Sequence, residues 1–211
     1  IGITGGIGSG KSKCLAYLAS LSRPRVYTLN LDAFGPKVYD LYAPALPNIA
    51  SIFGPECVTW AEKGGRKYPV GVNRVKLGER VFRDDHSLAV LRSLVSPQIK
   101  KLMLQHFQRA EERASECDLL AVEGAVLIEA NTFGFFDELW VVTLPKEKAV
   151  ARILERDPHV TPEQARARLA RQIDDEERLK HAAFSYSTDG ASFEENARKI
   201  DARLRQILNS H

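Results

Sequence analysis

The chain is poor in the residues that would tie it to disulfide, zinc or membrane chemistry. Cys14, Cys57 and Cys117 stand far apart with no C-x-x-C pair, so neither a disulfide framework nor a cysteine zinc site is indicated, and the three read as reduced thiols. His86, His106, His159, His181 and His211 are equally scattered and suggest no metal cage built from protein side chains. No apolar run approaches the length that crosses a bilayer, and the first residues do not resemble a signal peptide. Charge of one sign is also scarce. A formal net charge of +3, with no dense basic run interleaved with aromatics, gives no argument for nucleic acid, while small anionic ligands suit it well. What remains is ordinary globular composition, 44% hydrophobic and 27% charged over 211 residues, enough for one α/β domain with attached lobes.

The first twelve residues, "IGITGGIGSGKS", carry the most specific pattern. Gly5, four residues, Gly10, Lys11 and Ser12 make G-x-x-x-x-G-K-S, the P-loop, set between an apolar stub and a helical stretch. Gly6, Gly8 and Gly10 let the backbone curl so that successive N–H groups face phosphate oxygens, and the helix from Lys11 adds its positive end. In that arrangement Lys11 reaches the β- and γ-phosphates of ATP and Ser12 holds Mg²⁺. The plainer alternative is a flexible glycine loop with Lys11 as a solvated charge; filling of every fixed position disfavours it. Only Ile1, Gly2 and Ile3 precede the loop and no Met opens the chain, which predicts a longer polypeptide with a further domain upstream.

Periodicity predicts helix 1 over about Lys11 to Leu21 and a strand in "RPRVYTLNLD" ending at Asp32. "DAFGPKVYDLY" and "ALPNIASIFG" read as short helices broken by prolines, and "GPECVTWAEKGGRKYPVGVN" as an exposed loop with a strand at Glu56 to Trp60. Helices follow at about Arg74 to Phe82, Leu88 to Leu94 and Pro97 to Ala114. "DLLAVEG" and "ELWVVTL" have the continuous apolar character of strands buried on both faces. Next come a helix in "PKEKAVARILERD", a charged helical pair with Thr161 as N-cap and Pro162 at its first position, a strand near Phe184 to Ser187, and a helix from about Ser192 to Leu208. The order predicts a P-loop NTPase-type doubly wound parallel sheet with a helical substrate lobe and a helical lid. The core falls at about 1–32, 116–156 and 183–211, the lobe at about 33–115 and the lid at about 157–182.

A phosphate loop does not by itself say where the phosphate goes. A GTPase would need N-K-x-D for guanine, which is absent, although Asp32-Ala-Phe-Gly35 matches D-x-x-G by letters. Asp32 is more informative as the residue at the carboxyl end of the second strand, where open α/β sheets place ligands and where a carboxylate can accept the proton of an attacking hydroxyl. It is also a residue that caps helices well, and the two roles are compatible. Arg152 and Arg156 lie four apart on one helical face, as do Arg168 and Gln172 on the next, a spacing suited to covering a migrating phosphoryl group and equally to a solvated face.

Taken together, "GITGGIGSGKS", "LNLD", the later "FG", "NRVKLGERVF", "SPQI", "VEGAVLIEA", "RILERD" and "ARLARQ" resemble the dephospho-coenzyme A kinase family in their order, over nearly all 211 residues. "AVLIEANTFGFFDELWVVTLP" is especially similar to the kinase domain of the bifunctional eukaryotic coenzyme A synthase, which implies an upstream phosphopantetheine adenylyltransferase domain. The resemblance implies transfer of the ATP γ-phosphoryl to the ribose 3′-hydroxyl of dephospho-coenzyme A with Mg²⁺, in the cytoplasm, with mitochondrial association left open. It implies Asp32 as general base, Lys11 and Arg156 on the transferred charge, and Ser12 on Mg²⁺ with Glu123 or Asp32 as a water-linked acidic partner. Gly6, Gly8, Ser9, Gly10, Lys11, Ser12 and Lys13 would hold ATP; Asp32, Arg74 and Glu129 would bind the acceptor. Asn30 stands where the family has the first Asp of D-x-D, Ser96 where bacterial members commonly have His, Lys13 where Thr is common, and "FSYSTDG" departs from the family's segment near the ATP base. On residues alone, a nucleotide-binding module without transferase activity and a kinase of another nucleoside or nucleotide remain alternatives.

Overall fold

Continuous apolar runs suit strands buried on both faces of a parallel sheet, and such a sheet forms here. The computed structural model describes residues 1–32, 45–81, 85–112 and 116–209. Strands β1 (Gly2–Thr4), β2 (Val26–Asn30), β5 (Leu119–Glu123), β6 (Leu139–Thr143) and β7 (Phe184–Ser187) form a sheet in the order β2-β5-β1-β6-β7. Every pairing in it is parallel. Ile3, Ala121, Val122, Trp140, Val141 and Val142 are fully buried, as strands covered on both faces require. Helices α1 (Lys11–Ser20) and α8 (Phe193–Asn209) contribute Cys14, Leu15, Leu18, Ile200 and Leu204 to the core around Trp140 and Tyr186. These strands and helices fall where the sequence predicts them, with bounds shifted by a residue or two except in β2, which begins three residues later than predicted and ends at Asn30 rather than Asp32.

The order of the strands is what makes a site. Asn30 pairs with Glu123 across β2 and β5, and Gly2 faces both Val122 and Leu139 across β1. The carboxyl ends of β1, β5 and β2 therefore lie side by side, and each leads into a chemically active segment: the glycine loop after Thr4, Glu123 itself, and Asp32 beyond Asn30. This is the edge at which open α/β sheets bind ligands.

Helix α5 (Lys146–Arg156) follows β6, and α6 (Pro162–Ala170) packs on it through Val150, Ile153, Val160 and Ala165, with Ile7 and Leu169 against them. Helix α7 (Asp175–Leu179) completes this segment. Thr161 caps α6 as the sequence predicts: its hydroxyl accepts from the Gln164 N–H at 3.3 Å while the Gln164 side chain accepts from the Thr161 N–H at 3.0 Å. Removing the hydroxyl half of this reciprocal pair by Thr161→Ala, which leaves the backbone donor to Gln164 in place, is expected to cost about 1 kcal/mol. In a chain of this size that lowers the melting temperature by about 2–4 °C, measurable by circular dichroism.

Residues 33–106 form a second unit, separate from 1–32 and 107–211. Its core gathers Leu46, Ile49 and Phe53 of α2 (Leu46–Phe53), Leu77 and Val81 of α3 (Arg74–Val81), and Leu91 of α4 (Asp85–Glu112). Two features differ from the sequence expectation. The stretch read as an exposed loop is a hairpin of β3 (Val58–Lys63) and β4 (Arg66–Val72), turned by Gly64 and Gly65 at φ 61° and 74°. Paired positive φ angles at a two-residue loop are the hairpin turn that follows the right-handed strand twist. Charge and Pro69 mask that signal, and the irregularity between Thr59 and Trp60 accommodates the proline. The two helices predicted on either side of Pro97 are one helix, α4. Pro97 removes one backbone donor, yet the helix continues through it. The helix predicted in "DAFGPKVYDLY" lies outside the described residues, as does the predicted helix end at Ala114.

Candidate active site

The loop between β1 and α1 is shaped by glycines at three places whose positive φ disfavours a side chain; at Gly5, with φ 154°, a Cβ would run into the Val142 carbonyl oxygen. Gly8 has φ 81°, and a Cβ there would approach the Ala149 carbonyl oxygen to 3.2 Å; Gly10 has φ 104°, with a Cβ 3.2 Å from Thr188. Gly10 is also the N-cap of α1, which has no side-chain cap and no acidic residue in its first turn. The positive end of the helix is therefore left to the loop, an anion-binding arrangement.

Lys11 folds back over this loop, its Nζ donating to the Gly6 carbonyl at 3.3 Å, and the residue is only 6% exposed. Burial pushes its ammonium below the usual lysine range; Asp32 and Glu123 pull it back, while Arg178 and Arg156 push it further down. Asp32 is thus the strongest attractive charge on Lys11, ahead of Glu123. Its carboxylate, otherwise exposed, accepts from the Ala125 N–H at 3.0 and 3.2 Å, which fixes it beside the end of β5.

Glu123 is the buried centre of the site, 1% exposed at the last position of β5. Its Oε1 accepts from the Ser12 hydroxyl at 2.6 Å and its Oε2 from the Asn30 amide at 3.1 Å. Burial raises its pKa above the ordinary carboxylate range, the Ser12 hydrogen bond and Lys11 lower it, and Asp32 raises it. Between the ordinary value and its own, the native carboxyl holds a proton that the unfolded chain has released. Its contribution to stability is therefore lost as pH rises through that window. Of the two acidic partners expected for Ser12, Glu123 makes the direct contact and Asp32 is engaged with Ala125. An Asp at position 30 would face Glu123 with a second negative charge; Asn30 faces it with a donor.

Arg152, paired with Arg156 by spacing, has a different task from its neighbour. Its guanidinium donates to the Gly8 carbonyl at 3.1 Å, to the Thr188 hydroxyl at 2.9 Å and to the Thr188 carbonyl at 3.1 Å, and the Thr188 hydroxyl donates to the Ser9 carbonyl at 2.8 Å. The divergent "FSYSTDG" segment thereby braces the glycine loop. Arg156 is exposed, within electrostatic reach of Lys11. Arg168 makes an exposed pair with Asp157 at 3.8 Å, whereas Gln172 accepts from the Ile7 N–H at 3.0 Å and so touches the loop directly. Glu129 accepts from the Ile173 N–H at 3.4 Å, and its other oxygen is buried without a partner among the described residues. Arg74 begins α3 in the second unit. Sequence reading missed Arg178 and Thr188 altogether: the first sits in a run of charges, the second in a segment with no motif.

A parallel sheet whose first strand runs through a glycine loop into a helix, with Lys11, Ser12 and two carboxylates gathered at its carboxyl edge, defines a P-loop kinase, an ATP-using transferase. The comparisons narrow the class. A family model described as dephospho-CoA kinase matches residues 1–194. The chain is 33% identical over 185 residues to dephospho-CoA kinase of Dehalococcoides mccartyi, covering 87% of this chain and 85% of that one. It is 30% identical over 208 residues to dephospho-CoA kinase of Thermobifida fusca, covering 98% and 93%. A crystal structure from Thermus thermophilus superposes with a TM-score of 0.74 at 29% identity, over 97% of this chain and 95% of that one. Dephospho-CoA kinase from Campylobacter jejuni does so with a TM-score of 0.56 at 25% identity, over 98% and 95%. The chain belongs to the dephospho-CoA kinase family. No helix among the described residues is long and apolar enough to cross a membrane.

Proposed function

We propose that the protein transfers the γ-phosphoryl group of ATP to the ribose 3′-hydroxyl of dephospho-coenzyme A, giving coenzyme A and ADP, the last step of coenzyme A synthesis. The observation that carries this reading is the meeting of the phosphate loop, Asp32 and the Ser12–Glu123 pair at one sheet edge, in a chain of this family.

The residues divide the work as follows. Gly6, Gly8, Ser9, Gly10, Lys11, Ser12 and Lys13 hold the ATP phosphates. Lys11 carries charge on the β- and γ-phosphates. The acceptor oxygen bonds to the γ-phosphorus as the bond to the β–γ bridging oxygen breaks. Asp32 takes the hydroxyl proton, and the electron pair leaves with ADP. Arg156 offsets negative charge on the group in flight. Arg74 and Glu129 are assigned to acceptor binding, residues of about 33–115 to the substrate lobe and about 157–182 to the lid. A cytoplasmic setting is part of the proposal, and so is an upstream phosphopantetheine adenylyltransferase domain, which rests on the resemblance of the segment from Ala125 to Pro145 alone.

A hydroxyl and a carboxylate at 2.6 Å, both oxygen donors beside the phosphate loop, fit Mg²⁺, which takes one or two protein oxygens and completes its shell with phosphates and water. Ser12 and Glu123 would hold it, and when bound it neutralises charge on the β- and γ-phosphates. Glu123→Gln is therefore expected to raise the Mg²⁺ concentration for half-maximal activity by about 10–100-fold, read from Mg²⁺ titrations at saturating ATP. An unchanged titration would remove Glu123 from the cation's surroundings.

The reading as a whole is tested by coenzyme A formation from ATP, Mg²⁺ and dephospho-coenzyme A, with AMP and a nucleoside as competing acceptors. Product from dephospho-coenzyme A alone supports it. Phosphorylation of AMP or the nucleoside in preference, or ATP binding with no acceptor phosphorylated, would replace it with a nucleotide kinase or a binding module.

A further inference from the structure

Among the described residues, the buried guanidinium of Arg178 is left poorly served. Arg178 lies in α7 and is 2% exposed. Its Nη1 donates to Asp175 Oδ1 at 2.9 Å, but its Nε and Nη2 are buried with no acceptor among the described residues. Asp175 cannot serve them with both oxygens, because its Oδ2 accepts from the Leu144 N–H at 3.2 Å, just past the end of β6. A guanidinium taken out of water with one neutralising oxygen and idle donors is costly, and proteins keep such a group where an anion arrives to complete it.

The surroundings say which anion. Arg178 lines a cavity of about 370 Å³ whose other wall is the phosphate loop at Gly6, Ile7 and Ser9. Its Nη1 lies 3.8 Å from where a Cβ on Gly6 would stand. The adjoining Ile7 N–H is already spoken for by Gln172, which lines the same cavity. Among the cations bearing on the Lys11 ammonium, Arg178 weighs more than Arg156. The guanidinium and the ammonium therefore converge on one stretch of loop from different elements, as two clamps on a single polyanion would.

Resting on the kinase reading above, we propose that Arg178 is a further catalytic residue, its guanidinium donating hydrogen bonds to the γ-phosphoryl group in flight from the side of Nη1, which stands nearest the loop at Gly6, and that Asp175 is its positioning residue. The step keeps the balance already given: the acceptor oxygen bonds to phosphorus, the bridging P–O bond breaks, Asp32 takes the proton and ADP takes the electron pair. Arg178 neither gains nor loses a proton. Asp175, anchored to the strand end through Leu144, sets the fork of the guanidinium against Gly6.

The test uses the full chain and three variants, Arg178→Met, Arg178→Lys and Asp175→Asn, with single-turnover coenzyme A formation, calorimetric ADP binding and melting temperature. Arg178→Met is expected to slow transfer by about 10²–10³-fold, as loss of a donor to developing charge does, while ADP binds within about threefold of the unsubstituted protein. Arg178→Lys recovers part of the rate, because an ammonium supplies charge without the fork. Asp175→Asn slows transfer by about tenfold with the KM for dephospho-coenzyme A unchanged, a split that a loss of folding would not produce. A full rate in Arg178→Met, or a rate loss matched by an equal loss of ADP affinity, would overturn the proposal. Should Arg178→Met fail to fold, Arg178→Lys decides: a reduced rate at unchanged ADP affinity supports it, and an undiminished rate overturns it. Absence of product with the unsubstituted protein would instead refute the kinase reading, and this proposal with it.

Discussion

Replacing Lys11 with Met lowers kcat/KM by about 10³-fold, equivalent to about 4 kcal/mol of transition-state stabilisation. The size follows from position. The ammonium is buried against the loop carbonyl of Gly6, drawn by Asp32 and Glu123, and no exposed lysine could be held so close to two phosphates at once. Methionine keeps the stem and removes the charge, so the fold survives the change. Stability gives an independent check with a defined sign. Burial holds the Lys11 pKa below its ordinary value, so between the two values the native chain binds fewer protons than the unfolded one. The cost of keeping Lys11 charged is therefore present at neutral pH and is relieved as pH rises through the native pKa towards the ordinary value. Lys11→Met is expected to melt at or above the temperature of the unsubstituted protein at pH 7, with a weaker rise of relative stability in alkaline solution. Calorimetry across pH measures this, alongside steady-state kinetics. Loss of activity accompanied by a lower melting temperature at pH 7 would mean that Lys11 holds the loop together.

Replacing Asp32 with Asn lowers kcat by about 10²–10⁴-fold and leaves ATP binding within a few-fold. The substitution separates two roles that the geometry superimposes. As a structural group, Asp32 accepts the Ala125 N–H with both carboxylate oxygens, and the amide oxygen of asparagine can accept the same donor. As a base, it must take a proton from the attacking hydroxyl, which an amide does not do. A structural role predicts a variant close to normal; the catalytic role predicts loss of the chemical step alone. Asp32→Ala, by contrast, frees Ala125 and confounds the two.

How far the site can be read without coordinates depends on which kind of information fixes each part. The phosphate loop is legible because its geometry is local: Gly5, Gly8 and Gly10 are required by the path of their own backbone, and Lys11 and Ser12 are placed by the first turn of α1. The central strands of the sheet are legible because burial on both faces leaves a continuous apolar run, as in "LWVVT" and "LLAVE", whereas the edge strands β2 and β7 are only partly buried. The hairpin of β3 and β4 is not, since its strands are largely exposed and their charges resemble a loop. Glu123 could be named from its place at a strand end, but its choice of Ser12 follows from strand order, which sets residues 111 apart side by side. Arg152 and Arg178 show the limit. Both belong to helices of ordinary charged composition, and one grips a carbonyl 144 residues away while the other is buried at a cavity shared with the phosphate loop. Spacing along a helix reports which side chains share a face; it does not report which carbonyl or cavity that face meets.

The central claim is that chemistry occurs at the joined carboxyl ends of β1, β5 and β2, with Asp32 as the base. Its most direct measurement is a single-turnover experiment in which the chain is loaded with Mg²⁺ and labelled ATP, mixed with dephospho-coenzyme A, and quenched on the millisecond scale. The account predicts rapid appearance of label on the 3′-oxygen with the unsubstituted protein, and with Asp32→Asn a transfer slower by at least about a hundredfold at the same occupancy by ATP. Equal transfer rates in the two proteins would contradict it and leave Asp32 as no more than the acceptor of the Ala125 hydrogen bond.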